Sequence, residues 1–197
     1  PMRAGAFDQT EDEKIAAIQE KFAEIMDILG LDLSDDSLKG TPKRVAKMYV
    51  KEIFNGLNPA NKPQMALFEN KYKYNEMLVE KNIVVYSTCE HHLLPFTGVA
   101  HIAYLPSDRV IGLGRLPKLV EILSARPQLQ ENLTAQIADA LEQGLGTRGV
   151  VVVIEARHHC VASRGARQPE ANTVTMATRG EYSEAANRAE VMALIAK

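Results

Sequence analysis

The sequence predicts an α+β protein: N-terminal helices, then a domain with two helices packed on one face of an antiparallel sheet. Three observations predict it. Apolar residues recur at helical spacing before residue 56, β-branched and alternating runs dominate from residue 82, and two helical stretches separate the second run from the third.

The first helix follows Thr10, with Glu13 three residues on in a capping box. Ile15, Ile18, Phe22, Ile25 and Leu29 carry its apolar stripe, and Gly30 stands where a C-terminal cap belongs. Thr41-Pro42 reads as N-cap and first turn of a second helix that runs through Val45, Met48, Tyr49 and Ile53 to Gly56. The stretch GLNPANKPQ then interrupts the pattern with prolines, glycine and asparagines. We therefore expect a tail over 1–9, a helical region over 10–62 and a main domain over 63–197.

In that domain NIVVYST (82–88) is β-branched, TGVAHIAYL (97–105) alternates, and GVVVVIEAR (149–157) is apolar enough for the centre of a sheet. Helices are expected from about Pro117 to Ser124 and from about Pro127 to Leu145, the second stopped by Gly146. NTVTMAT (172–178) reads as a last strand, and a final helix follows from Glu184.

The formal net charge of the 197 residues is −2, so no overall basic field points to nucleic acid. No uninterrupted apolar run and no charged lead before an apolar segment suggests a membrane span or signal peptide. The cytoplasm is the expected compartment. In a reducing compartment, two cysteines are expected to serve as thiols, metal ligands or catalytic groups rather than as a disulfide.

Four of the five histidines lie within three residues of one of those cysteines, in TCEHH (88–92) and RHHC (157–160), each at the end of an expected strand. Cys89 and His92 form a C-x-x-H pair, and Cys160 can supply a third ligand. Two thiolates and an imidazole suit zinc, and three protein ligands leave a position for water. The remaining histidines could act as acids or bases near neutral pH. Taken singly, such a pair is better explained by a buried thiol and satisfied histidines; the concentration of four is what favours a metal. Arg164 and Arg167 in SRGAR, with Arg115 and Lys118 in GLGRLPK, are cations in glycine-bearing loops, suited to a polyphosphate but also ordinary as solvated surface charge. Glu131 could accept two hydrogen bonds from a guanine edge, or simply be exposed on its helix.

The strings STCEHHLLPFTGVAHIAYLP, VIGLG, RPQLQENLTAQIADAL, VVVVIEARHHCVASRGAR and NTVT stand in the order and spacing of the GTP cyclohydrolase I family. The chain resembles that family from about Asp35 to Tyr182. The resemblance implies the tunnelling (T-fold) architecture and a toroidal homodecamer whose active sites are shared between neighbouring subunits. It also implies hydrolysis at C8 of GTP, with release of formate and formation of 7,8-dihydroneopterin triphosphate. Carried over by position, zinc falls to Cys89, His92 and Cys160, protonation of the purine N7 to His91, and further acid-base work to His158. Glu131 anchors guanine beside Gln130, Arg164 binds phosphate, and Leu113, Arg115 and Lys118 complete the substrate set. His159 receives no role.

The sequence departs from the family pattern at Gly114, where a serine near the ribose is usual, at Arg115 and Lys118, where lysine and arginine are exchanged, and at Asn132, where arginine is usual. Gly114 leaves open a relative that stops at a ring-opened product or takes another purine nucleotide. A non-catalytic nucleotide-binding oligomer is the alternative from a different class.

Overall fold

The computed structural model describes residues 2–195. Contacts divide them into two compact units, one ending at Ala60 and the other starting at Asn61.

The first unit is helical. Helix α1 (Glu11–Ile28) starts with the expected capping box: Thr10 Oγ1 accepts the Glu13 N–H, and the Glu13 carboxylate accepts the Thr10 N–H at 2.7 Å. Gly30, at φ +80°, closes it, with Gly30 N–H on Asp27 O and Leu31 N–H on Met26 O, the paired bonds of a Schellman ending. Ile15 and Met26 are the buried residues, so the inward stripe passes through Met26 rather than Ile25. Thr10→Ala removes an N-cap oxygen and is expected to cost this unit about 1 kcal/mol, read from its thermal melting. Helix α2 (Thr41–Met48) begins one residue earlier than its cap reading: Gly40 holds the N-cap position, and the Thr41 hydroxyl accepts from Arg44 instead of capping. It continues as a wider π turn over Tyr49–Ile53, where Tyr49 meets the edge of Phe22 at 5.5 Å.

The second unit carries the sheets. In chain order its elements are β1 (Leu67–Glu69), β2 (Leu78–Cys89), β3 (Pro95–Leu105), β4 (Arg109–Ile111), α3 (Arg115–Ser124), β5 (Pro127–Gln128), α4 (Gln130–Leu145), β6 (Gly149–His158), α5 (His159–Ala162), β7 (Thr173–Gly180) and α6 (Ala185–Ile195). The main sheet has the order β5-β2-β3-β6-β7, antiparallel except where β5 runs parallel to the end of β2; β1 and β4 form a separate pair. One face is packed by α3 and α4 through Leu116, Leu119, Val120, Leu133, Ile137 and Leu141. Part of the other face is covered through Tyr182 and Val191. This is the mixed α+β arrangement the strand and helix patterns predict.

One boundary differs in a way that shapes the site. The expected helix from Pro127 starts only at Gln130, because Pro127 and Gln128 extend alongside Thr88 and Cys89 as β5. That pairing fixes the N-terminus of α4 at the Cys89 end of the sheet.

A bulge between Glu80 and Ile83 places Asn82 at φ +59°, a conformation asparagine tolerates better than most residues. The Asn82 N–H donates to Nδ1 of buried His101, 3.3 Å away, which holds that ring neutral. Burial, then the nearby Lys81, holds the His101 pKa below its ordinary 6.5, with Glu155 opposing. Below pH 6.5 the unfolded chain binds a proton that the folded chain resists. Stability is therefore full above that pH and falls as the pH drops toward the folded value. His101→Gln is expected to flatten this decline in melting temperature, partially, because His158 is also depressed.

Candidate active site and metal centre

Three strands end together. Register places Thr88 opposite Pro95 and Phe96 opposite His158, so the last residues of β2 and β6 flank the start of β3. After Cys89 the chain turns through Glu90–Leu94, closed by Leu93 N–H on Cys89 O at 2.9 Å and Cys89 N–H on Leu94 O at 2.8 Å. Leu93 takes φ +52° to make the turn, and the Glu90 N–H is held by Gln128 O of β5. After His158 the chain enters α5 directly, which brings Cys160 back toward the sheet end.

The result is a cluster in which Cys89 Sγ, Cys160 Sγ and a ring nitrogen of His158 lie within 4.8 Å of one another. Both cysteines are free, Cys89 buried and Cys160 half-buried. Burial, followed by the hydrogen bond with the Cys89 thiol, pushes the Cys160 thiol up. Two sulfurs and an imidazole converging from three elements are a soft donor set, and that chemistry fits zinc.

The spacing argument takes its imidazole from His92, whereas the imidazole clustered with the thiols is that of His158. His92, exposed on the turn after Cys89, accepts at Nε2 from Arg164 Nη1 at 3.3 Å. His91 is exposed on the same turn. His158 stacks on Phe96, with ring centroids 4.6 Å apart and planes 11° off parallel, and its Nε2 lies 2.8 Å from Gln130 Oε1. Burial lowers the His158 pKa and the Glu131 carboxylate partly offsets it.

Glu131 is exposed in the first turn of α4, next to fully buried Gln130. Leu113, Arg115 and Lys118 lie elsewhere. They sit around the start of α3 with Phe68 and Gly114, after β4, at the end of the sheet where β3 finishes. Helix α3 then runs back beside β2, where Ser124 O accepts from the Ser87 hydroxyl two residues before Cys89, so the start of α3 lies about 13 Å of helix from that point. Lys118 is paired there with Glu121 at 2.8 Å.

Phe96, Thr134 and Thr175 are parts of the site that the sequence reading missed. Phe96 could be suspected from its place seven residues after Cys89, the first residue of the C-x-x-H pair; nothing in the sequence pairs the two threonines.

The sequence pattern of the GTP cyclohydrolase I family matches residues 18–196. The chain belongs to the GTP cyclohydrolase I family. It is 54% identical over 192 residues to a GTP cyclohydrolase 1 of Flavobacterium johnsoniae, covering 98% of this chain and 86% of that one. It is 50% identical to the GTP cyclohydrolase 1 of Leifsonia xyli subsp. xyli (91% and 94% covered) and 47% to that of Pectobacterium carotovorum subsp. carotovorum (95% and 84%). A solved structure, an apo archaeosine synthase QueF-Like, aligns with 55% of this chain and 97% of its own at a TM-score of 0.47 and 16% identity, too distant to bear on fold or chemistry. Among the described residues no helix is long and apolar enough to cross a membrane.

Proposed function

We propose that the chain is a zinc-dependent GTP cyclohydrolase I of T-fold architecture, hydrolysing GTP at C8 to release formate and form 7,8-dihydroneopterin triphosphate. The carrying observation is the convergence of Cys89, Cys160 and imidazole beside the start of α4, in a chain of this family.

Cys89, Cys160 and His92 are the residues assigned to hold the ion. His92 is assigned by its place in the C-x-x-H pair and by the family resemblance; its Nε2 lone pair is taken by Arg164, which would have to give way to the ion, while His158 Nε2 is engaged by the carboxamide oxygen of Gln130. Bound there, zinc would supply water activated near neutral pH for attack on C8.

The protein's own groups do the rest. Glu131, exposed at a helix start and without a side-chain hydrogen bond or ion pair among the described residues, can accept the N1–H and 2-amino hydrogens of guanine, a pair that adenine lacks. His91 on the exposed turn can donate a proton to N7, which makes C8 more electrophilic. His158, stacked on Phe96, is assigned the proton transfers that follow ring opening. Arg164, at the turn's edge, is suited to a phosphate oxygen.

Leu113, Arg115 and Lys118 lie toward the end of α3 remote from Ser124, apart from this cluster within one chain. Their assignment to the substrate is best met by a neighbouring subunit, in keeping with shared sites in a toroidal homodecamer. The tail over 1–9, helical region over 10–62 and catalytic domain over 63–197, and a cytoplasmic setting, complete the proposal.

The test is incubation of zinc-loaded protein with GTP, following formate and, after oxidation, the fluorescent pterin and its mass. Both products are expected. Gly114 favours a second reading, in which the sugar rearrangement fails and formate appears without neopterin. A Cβ at Gly114 meets nothing within 4 Å and its φ of −62° suits any residue, so Gly114→Ser is expected to fold normally. Under the main reading it leaves the product unchanged; under the second it restores the pterin. Stoichiometric zinc without turnover of any purine triphosphate would indicate the non-catalytic oligomer.

A further inference from the structure

Gln130 is nearly inaccessible, at 1% exposure, and its carboxamide is fully engaged. Nε2 lies 3.0 Å from Ile154 O, 2.9 Å from Thr173 O and 3.1 Å from Thr175 Oγ1. Backbone carbonyls only accept, so the atom facing them must be the nitrogen, and the oxygen must face His158. That oxygen has no hydrogen. The 2.8 Å contact between Gln130 Oε1 and His158 Nε2 is therefore a bond donated by the ring.

The rest of the network fixes the amide's orientation with one direction for every proton. Thr134 Oγ1 lies 2.7 Å from Gln130 O, a carbonyl, so the Thr134 hydroxyl donates there. Its hydrogen being taken, the 2.7 Å contact with Thr175 Oγ1 is donated by Thr175. Thr175 in turn is left with lone pairs toward Gln130 Nε2. Thr134 is buried, Thr175 half-buried, and the links join α4, β6 and β7. A reversed amide would set its oxygen against two carbonyl oxygens in a buried place.

We infer that Gln130, oriented by Thr134 and Thr175, is a positioning residue that fixes His158 with its proton on Nε2 and offers Nδ1 to the active site. It makes no substrate contact of its own, since neither its nitrogen nor its buried oxygen is free for one. The nitrogen that a histidine presents is set by the bond its other nitrogen makes. The stack on Phe96 prevents the ring from rotating out of that bond. This inference rests on the acid-base role proposed for His158, but the state of the ring is measurable without turnover.

The first measurement is solid-state ¹⁵N NMR of zinc-loaded protein labelled at histidine, with the His158 signals identified by their loss in His158→Asn. A protonated, pyrrole-type Nε2 is expected. A bare, pyridine-type Nε2 with the proton on Nδ1 would overturn the lock, whether or not the protein turns over GTP. The second is kinetic. Gln130→Met is expected to lower kcat on the order of 10- to 100-fold, part of what a positioned acid-base group contributes, while KM for GTP hardly changes. A raised KM with unchanged kcat would instead make Gln130 a substrate contact and sink the inference. Should Gln130→Met fail to fold, Thr175→Val should lower kcat, with Thr175→Ser recovering most of the loss; equal rates in the two would count against the lock.

Discussion

Cys160→Ser is expected to abolish zinc retention and, with it, the release of formate from GTP. A serine hydroxyl is a poor substitute for a thiolate toward zinc, and the remaining Cys89 sulfur would stand with imidazoles alone. Outer-shell partners of a metal site typically cost 10- to 100-fold when removed, so a lost ligand should exceed roughly 100-fold. Elemental analysis after gel filtration, paired with the formate assay, checks it. Zinc at full stoichiometry in the purified variant would refute the assignment of Cys160. The same pair of measurements decides between the histidines. His92→Ala should lose zinc and turnover together, whereas His158→Ala should keep zinc and lose turnover. The reverse pattern would make the observed Cys89, His158 and Cys160 cluster the ligand set itself.

Gly98→Ala should be strongly destabilising. Gly98 lies on β3 opposite Ala156, and an added Cβ would overlap the backbone oxygen of Glu155 and come 2.6 Å from Ala156 Cα. Neither atom belongs to a flexible side chain, so β3 and β6 would have to separate where they carry Phe96 and His158. Overpacking of this kind costs about 3 kcal/mol or more, against a typical domain stability of only 5–15. The lowered midpoint of chemical denaturation reads it directly. Gly114→Ala serves as control, since nothing lies within 4 Å of a Cβ there and little change is expected.

These two cases differ in how far the sequence announces them. Cys160 is conspicuous: with two cysteines in the chain and four histidines beside them, the pattern names the chemistry before any coordinates exist. Gly98 is not, because a glycine in an alternating strand looks the same whether a neighbouring backbone presses on it or water does. The strands at 82–88, 97–105 and 149–157 were legible because β-branched and alternating runs leave few other structures open. The small pair β1 and β4, three residues each, was too short for any periodicity to mark. Pro127 was read as helical from the apolar spacing behind it, and tertiary pairing with β2 extended it instead.

The sequence by itself determined the order of helices and strands, the capping of α1 by Thr10 and Gly30, the donor types available for a metal, and the family. All of these depend on residue identity over short separations, where backbone preference and ligand chemistry are local properties. Only the tertiary structure decided which imidazole stands beside the two thiols, that Arg115 and Lys118 stand apart from the cysteine cluster, and that Gln130 faces His158 with its oxygen. Those outcomes follow from strand register and from buried carbonyls of β6 and β7 that accept but cannot donate. The physical reason is that a hydrogen bond between Gln130 and His158, 28 residues apart, exists only once the sheet has set both partners in place.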